Sequence, residues 1–159
     1  MDFYTIGVYN STEKEFFDKL INNEIDTFCD IRQRRGVRGS KYSFVNSKRL
    51  QSKLQSSGIK YFHFLDLAPT KEIREMQKQA DLKNHELKRD RKTLGKVFIN
   101  EYNDTIINHF NFSEFIDDLR KSKARNIVLF CVEESHNACH RSLVANKLRD
   151  NFNFEITNL

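Results

Sequence analysis

A chain of 159 residues, 38% of them hydrophobic and only one a proline, has enough apolar material for one domain with its own core, which excludes a disordered or linker-rich protein. Its 27 Lys and Arg against 22 Asp and Glu leave a formal charge of +5, a balance that attracts phosphates, nucleic acid or acidic partners. Three cysteines, an odd number, and opening residues without a signal-peptide core point to a reducing cytoplasm; no apolar run approaches the ~20 residues needed to span a bilayer, so no membrane partner is expected.

Residues 3–8 read as a short apolar strand. A helix over 13–21 follows, with Ser11 or Thr12 placed to cap it and Phe16, Phe17, Leu20 and Ile21 at helical spacing. Residues 25–31 form a second strand. Asn46 or Ser47 caps the next helix, which runs through Leu50 and Leu54 and ends at Gly58. Residues 59–64 make a third strand. The stretch 70–96 is then highly charged and poor in apolar residues: a solvated helix, a partly ordered excursion or a lid. Inside it, Lys88, Arg89, Asp90, Arg91 and Lys92 form a cluster that reads either as a solvated face or as a contact for nucleic-acid phosphates. Helical periodicity resumes over 97–110 and 112–120. Residues 127–132 are almost wholly apolar, as suits a central parallel strand buried on both faces. A helix over 139–152 and a short strand over 154–157 close the chain. The order predicts a single three-layer α/β domain over 1–159, with a mainly parallel sheet and helices on both faces. Functional residues in such sheets gather at the carboxyl ends of the strands.

The second strand ends in Asp30-Ile31-Arg32. Period-two alternation sets Asp30 and Arg32 on one side, either to orient a polar substrate or as a structural ion pair. Arg34, Arg35 and Arg38 follow, interleaved with Gly36 and Gly39, whose freedom lets several backbone N–H groups turn toward one anion. Tyr42 and Phe44 come next; they stack on bases or pack on the core.

The strongest local signal is CVEESHNACHRS, residues 131–142, joining a buried strand to a helix. Asn137 is placed to cap that helix, with Cys139, His140 and Arg141 in its first turn, where the helix dipole favours a thiolate. Three readings compete. Cys131 or Cys139 is a nucleophile while His140 or Glu133 moves protons. Alternatively the two cysteines and a histidine bind zinc, although adjacent Cys139 and His140 diverge on a helix and no paired CxxC is present. In the third, the cysteines are core packing. No metal ligand is therefore assigned and no cofactor named. Cys29, facing opposite to Asp30, belongs to the core, and His63, His85 and His109 lack a visible partner.

These residues together bring a family into view. The chain resembles, nearly end to end, the domain-of-unknown-function-488 family of prokaryotic proteins. The resemblance rests on Thr5-Ile6-Gly7, on Asp30-Ile31-Arg32 and on the closing Cys131, Glu133 and Cys139-His140-Arg141. Many relatives carry His-Ser where Val8-Tyr9 stand here, and a Gly pair where this chain has Ala68-Pro69. The family implies a compact α/β fold and carries over Asp30, Arg32, Cys131, Glu133, Cys139, His140 and Arg141 as site residues, with no established reaction.

Two functional expectations follow. The first is an enzyme acting on a phosphate-bearing substrate such as a nucleotide or nucleic acid. Asp30, Cys131, Glu133, Cys139 and His140 are its catalytic candidates, and Arg32, Arg34, Arg35, Arg38 and Arg141 its anion-binding ones. The loop lacks the Gly-rich Walker pattern, which disfavours ATP hydrolysis. The second is a non-catalytic nucleic-acid-binding or adaptor module. In both, the second and fourth strands should end side by side, with Asp30 and Arg32 facing Glu133 and Arg141 across one pocket.

Overall fold

The computed structural model describes residues 1–85 and 92–159. The basic cluster expected at 88–92 therefore lies outside the described residues except for Lys92. Among the described residues, five strands form one sheet: β1 (Asp2–Ile6), β2 (Thr27–Asp30), β3 (Lys60–His63), β4 (Asn126–Phe130) and β5 (Ile156–Asn158). Every pairing is parallel, in the order β3-β2-β4-β1-β5. The helices are α1 (Glu13–Asn22), α2 (Ser47–Ser56), α3 (Lys71–Lys83), α4 (Lys96–Tyr102), α5 (Phe112–Lys121) and α6 (Arg141–Phe152).

Period two along the strands divides the core. Phe28 of β2 and Val128 and Phe130 of β4 face one side, where Phe16, Phe17 and Leu20 of α1 and Leu50 and Leu54 of α2 cover them. Cys29, Ile127 and Leu129 face the other, under Ile73, Phe98, Tyr102, Phe115, Leu119, Val144 and Leu148 from α3 to α6. This is the three-layer α/β sandwich, and β4 is the central strand whose apolar run serves both cores. The step from β1 to β2 travels one way across the sheet and the step from β4 to β5 the other. With a single crossover hand, that reversal puts their helices on opposite faces.

Local chemistry sets the helix ends. Thr12 caps α1 through the Glu15 amide while the Glu15 carboxylate accepts from the Thr12 amide, a reciprocal capping box. Asn46 begins α2 without a side-chain cap, because its Oδ1 accepts instead from the Val37 amide at 2.7 Å. Gly58, at φ +72°, takes the left-handed position after α2. The periodicity over 97–110 resolves into α4 and a π-helical turn, Asn103–Ile107, where the Asn108 amide reaches back to Asn103. The last helix begins at Arg141 rather than at 139. A 3-10 turn, His136–Ala138, intervenes, and Cys139 is extended at φ −137°, ψ 142°. Asn137 does not cap α6; its carbonyl accepts from the Leu94 amide at 2.9 Å. Among the described residues, no helix is long and apolar enough to cross a membrane.

Candidate functional site

Strands β2 and β4 are neighbours, with Asp30 opposite Phe130, so the segments that leave them emerge side by side at the carboxyl edge. Alternation then separates two clusters. Asp30 and Arg32 fall on the side of α1 and α2; Cys131 falls on the side of α3 to α6.

Asp30 is fully buried and saturated. Arg32 Nε and Nη2 donate to its two oxygens at 2.9 and 2.8 Å, the Arg32 amide adds a bond at 3.1 Å, and the Tyr61 hydroxyl donates at 2.8 Å. Burial first, then the Asp30 charge, pushes the Tyr61 hydroxyl up to about 12, so it remains a donor. Arg32 Nη2 also reaches the Val45 carbonyl, and the guanidinium lies 4.5 Å over the Phe130 ring. Nη1 is buried with no hydrogen-bond partner among the described residues. His63 has a partner after all: its Nε2 is 2.8 Å from the Arg32 carbonyl.

Arg141 is 1% exposed. Its Nη1 and Nη2 donate to the carbonyls of Glu133 and Glu134 at 2.6 and 2.8 Å and pin that loop. Gly7 completes this buttress: a Cβ there would sit 2.0 Å from the Glu133 carbonyl oxygen and 3.2 Å from Arg141 Nη2. Only glycine permits that approach.

On the other side, Cys131, Cys139 and His140 converge. His140 Nδ1 is 3.8 Å from each Sγ, and the three atoms all lie within 4.8 Å of one another. Its Nε2 is 3.0 Å from the Ile31 carbonyl, the geometry of an Nε2–H donor, which directs Nδ1 at the sulfurs. Cys131 Sγ also lies 3.4 Å from Glu133 Oε2. The divergence expected of neighbours on a helix does not arise, because Cys139 is extended and His140 is the residue before the first helical turn.

The thiols differ. Burial pushes Cys139 up, but the Cys131 hydrogen bond, then the charge and hydrogen bond of His140, outweigh it and hold Cys139 well below an ordinary thiol. Cys131, which donates to Cys139 and is itself buried, is held well above. Burial lowers His140, and the Cys139 charge and hydrogen bond raise it by more. Burial, with the Asp30 charge behind it, pushes Cys29 far up as a core thiol.

A cavity of about 740 Å³ opens over both clusters. Arg32, Arg34 and Arg38 contribute to its wall, as do Arg74 and Lys78 of α3, and the buried Cys131, Glu133, Cys139 and His140 form its floor. The family described as domain of unknown function DUF488 matches residues 12–148, a span containing both the arginine loop and the cysteine–histidine turn. The chain belongs to that family. No curated protein and no solved structure matches it. The matched span of this DUF488 chain begins after β1, so Gly7 is supplied from outside it.

Not every expected residue reaches the DUF488 cavity. Arg35 is absent from the lining, and its carbonyl accepts from the Ser47 amide at 2.9 Å. Asp30 and Arg141 are also absent from the lining. Phe44 is 3% exposed and packs on Phe16, so it is no stacking platform. Tyr42 does line the cavity, its ring 5.2 Å from that of Tyr9. Sequence reasoning missed the contribution of α3. Arg74, Gln77, Lys78 and Asp81 recur at helical spacing, and two of them, Gln77 and Asp81, are buried and bonded at 2.5 Å. The signal was a polar stripe inside a charged helix, which a charge count conceals.

Proposed function

We propose that this DUF488 chain is an enzyme acting on a phosphate-bearing substrate, a nucleotide or a nucleic-acid segment. The observation that carries the reading is the charge of the cavity wall. Arg34, Arg38, Arg74 and Lys78 line it together with Asp81 and Glu133, while Arg32 is neutralised by Asp30 and Lys78 lies 3.7 Å from Glu75. A surplus of cations in a concave site favours phosphate, and about 740 Å³ suits a ligand of nucleotide size. The Tyr9–Tyr42 pair offers aromatic surface for a base. The reactive groups on the floor distinguish this from mere binding: Cys139 as thiolate, with His140 and Glu133 beside it for proton transfer. Three free thiols also suit a cytoplasmic protein.

Titration with inorganic phosphate, nucleotides and short oligonucleotides, read by thermal shift, tests it. Arg34→Glu with Arg38→Glu, both exposed, should weaken binding by about tenfold or more per arginine, at about 1.5–3 kcal/mol for each charge-assisted bond. Cys139→Ser should keep binding and lose turnover. No response to any phosphate compound would sink the reading. Salt-sensitive oligonucleotide binding with no turnover under any condition would favour the adaptor reading instead.

A further inference from the structure

We propose that Cys131, Cys139 and His140 bind a zinc ion whose fourth coordination position opens into the cavity. This rests on the catalytic reading of the same cavity and changes two roles in it, making Cys139 and His140 ligands in place of free thiolate and proton carrier; it is measurable without any substrate.

The geometry is close to closed. Tetrahedral zinc, with Zn–S of about 2.3 Å and Zn–N of about 2.0–2.1 Å, spaces sulfur and nitrogen about 3.6 Å apart. Here both Sγ–Nδ1 separations are 3.8 Å, and all three donor atoms fall within 4.8 Å. Among the described residues, this is the single group of three such side chains brought together. Core cysteines pack against apolar atoms; these two face each other, an imidazole and a carboxylate.

The donors are also held as ligands are held. Cys131 leaves the end of β4, its amide bonded to the Ile6 carbonyl at 3.3 Å. Cys139 and His140 lie in the junction before α6, with the Cys139 amide bonded to the His136 carbonyl. The Ile31 carbonyl takes the distal His140 nitrogen at 3.0 Å, the outer contact that orients metal-bound histidines. Two thiolates and an imidazole select zinc over magnesium or calcium. Three protein donors rather than four leave a position for water, as in catalytic rather than structural sites. The Glu133 carboxylate, 3.4 Å from Cys131 Sγ and lining the same cavity, borders that position and is placed to take a proton from the bound water. Binding releases the thiol protons to solvent, so affinity should rise with pH.

The full chain, kept reduced and stripped with chelator, is dialysed against zinc or cobalt(II). The expected result is one zinc per chain by elemental analysis and a thiolate-to-cobalt charge-transfer band. Cys131→Ser and Cys139→Ser should each lower zinc affinity by at least about a hundredfold, beyond the effect of losing an outer contact. Zinc should protect Cys131 and Cys139 from alkylation, while Cys29 stays unlabelled with or without metal. A folded wild-type chain that retains no zinc and gives no thiolate–cobalt band would overturn the proposal, and that result needs no variant to fold. Phosphate binding that depends on Arg34 and Arg38 would survive such a failure. Conversely, zinc bound without any phosphate response would overturn only the substrate reading.

Discussion

Replacing Asp30 by alanine is expected to cost about 3–5 kcal/mol, enough to leave the chain largely unfolded at moderate temperature. The carboxylate has no solvent exposure and Arg32 has 3%, so truncation leaves a buried guanidinium without its counter-charge. It also strands the Tyr61 hydroxyl, which loses its acceptor. The cost comes from breaking the pair rather than from the pair's net worth, since desolvation offsets most of the attraction between two buried ions. Replacing both partners together, Asp30→Leu with Arg32→Met, should therefore recover much of the loss. Urea unfolding of the two variants makes the comparison. A single substitution costing under about 1 kcal/mol would mean that Asp30 is not the counter-ion that buries Arg32.

Gly7→Ala should cost about 3 kcal/mol, at the upper end of overpacking. The new methyl would stand 2.0 Å from the Glu133 carbonyl oxygen. That neighbour is backbone, held by Arg141 Nη1 at 2.6 Å, and cannot rotate aside as a flexible side chain would. Relief requires moving the 133–134 loop, which carries one wall of the cysteine–histidine cluster. The substitution should therefore lower the melting temperature and distort the thiolate–cobalt spectrum together. Gly36→Ala is the matched control. Its nearest atom is Asn46 Oδ1 at 3.7 Å, an ordinary contact, and its cost should stay within about 0.5 kcal/mol. Equal effects at the two positions would show that close approach at Gly7 is not what the glycine serves.

Much of the fold was legible because strand and helix periods are written in apolar residues. Ile127 to Phe130 read as a central strand since both its faces are apolar, and both are covered. Alternation set Asp30 and Arg32 on one side with an ion pair as one of two readings, and the structure pairs them. Other features depend on contacts that no local pattern encodes. The bonds of Arg141 to the Glu133 and Glu134 carbonyls depend on the approach of Gly7 to Glu133, which lies far away in the chain. The 3-10 turn at His136–Ala138 delays the helix by two residues and swings Cys139 round to His140. The inner face of α3 was hidden because Gln77 and Asp81 are buried and bonded to each other, and a buried polar pair looks the same in sequence as a solvated one.

The cavity draws its floor and its wall from parts of the chain with different mechanical standing. The floor issues from β4 and the junction before α6, anchored to the sheet by the Ile6 and Ile31 carbonyls. The wall bearing Arg74 and Lys78 belongs to the long return from the edge strand β3 to the central strand β4, and no strand carries it. Exchanging cavity-facing residues along that helix leaves the sheet register intact, so under the proposed function the choice of ligand is separable from the reactive centre. A chain with that function, built this way, permits its specificity to drift while its chemistry stays fixed.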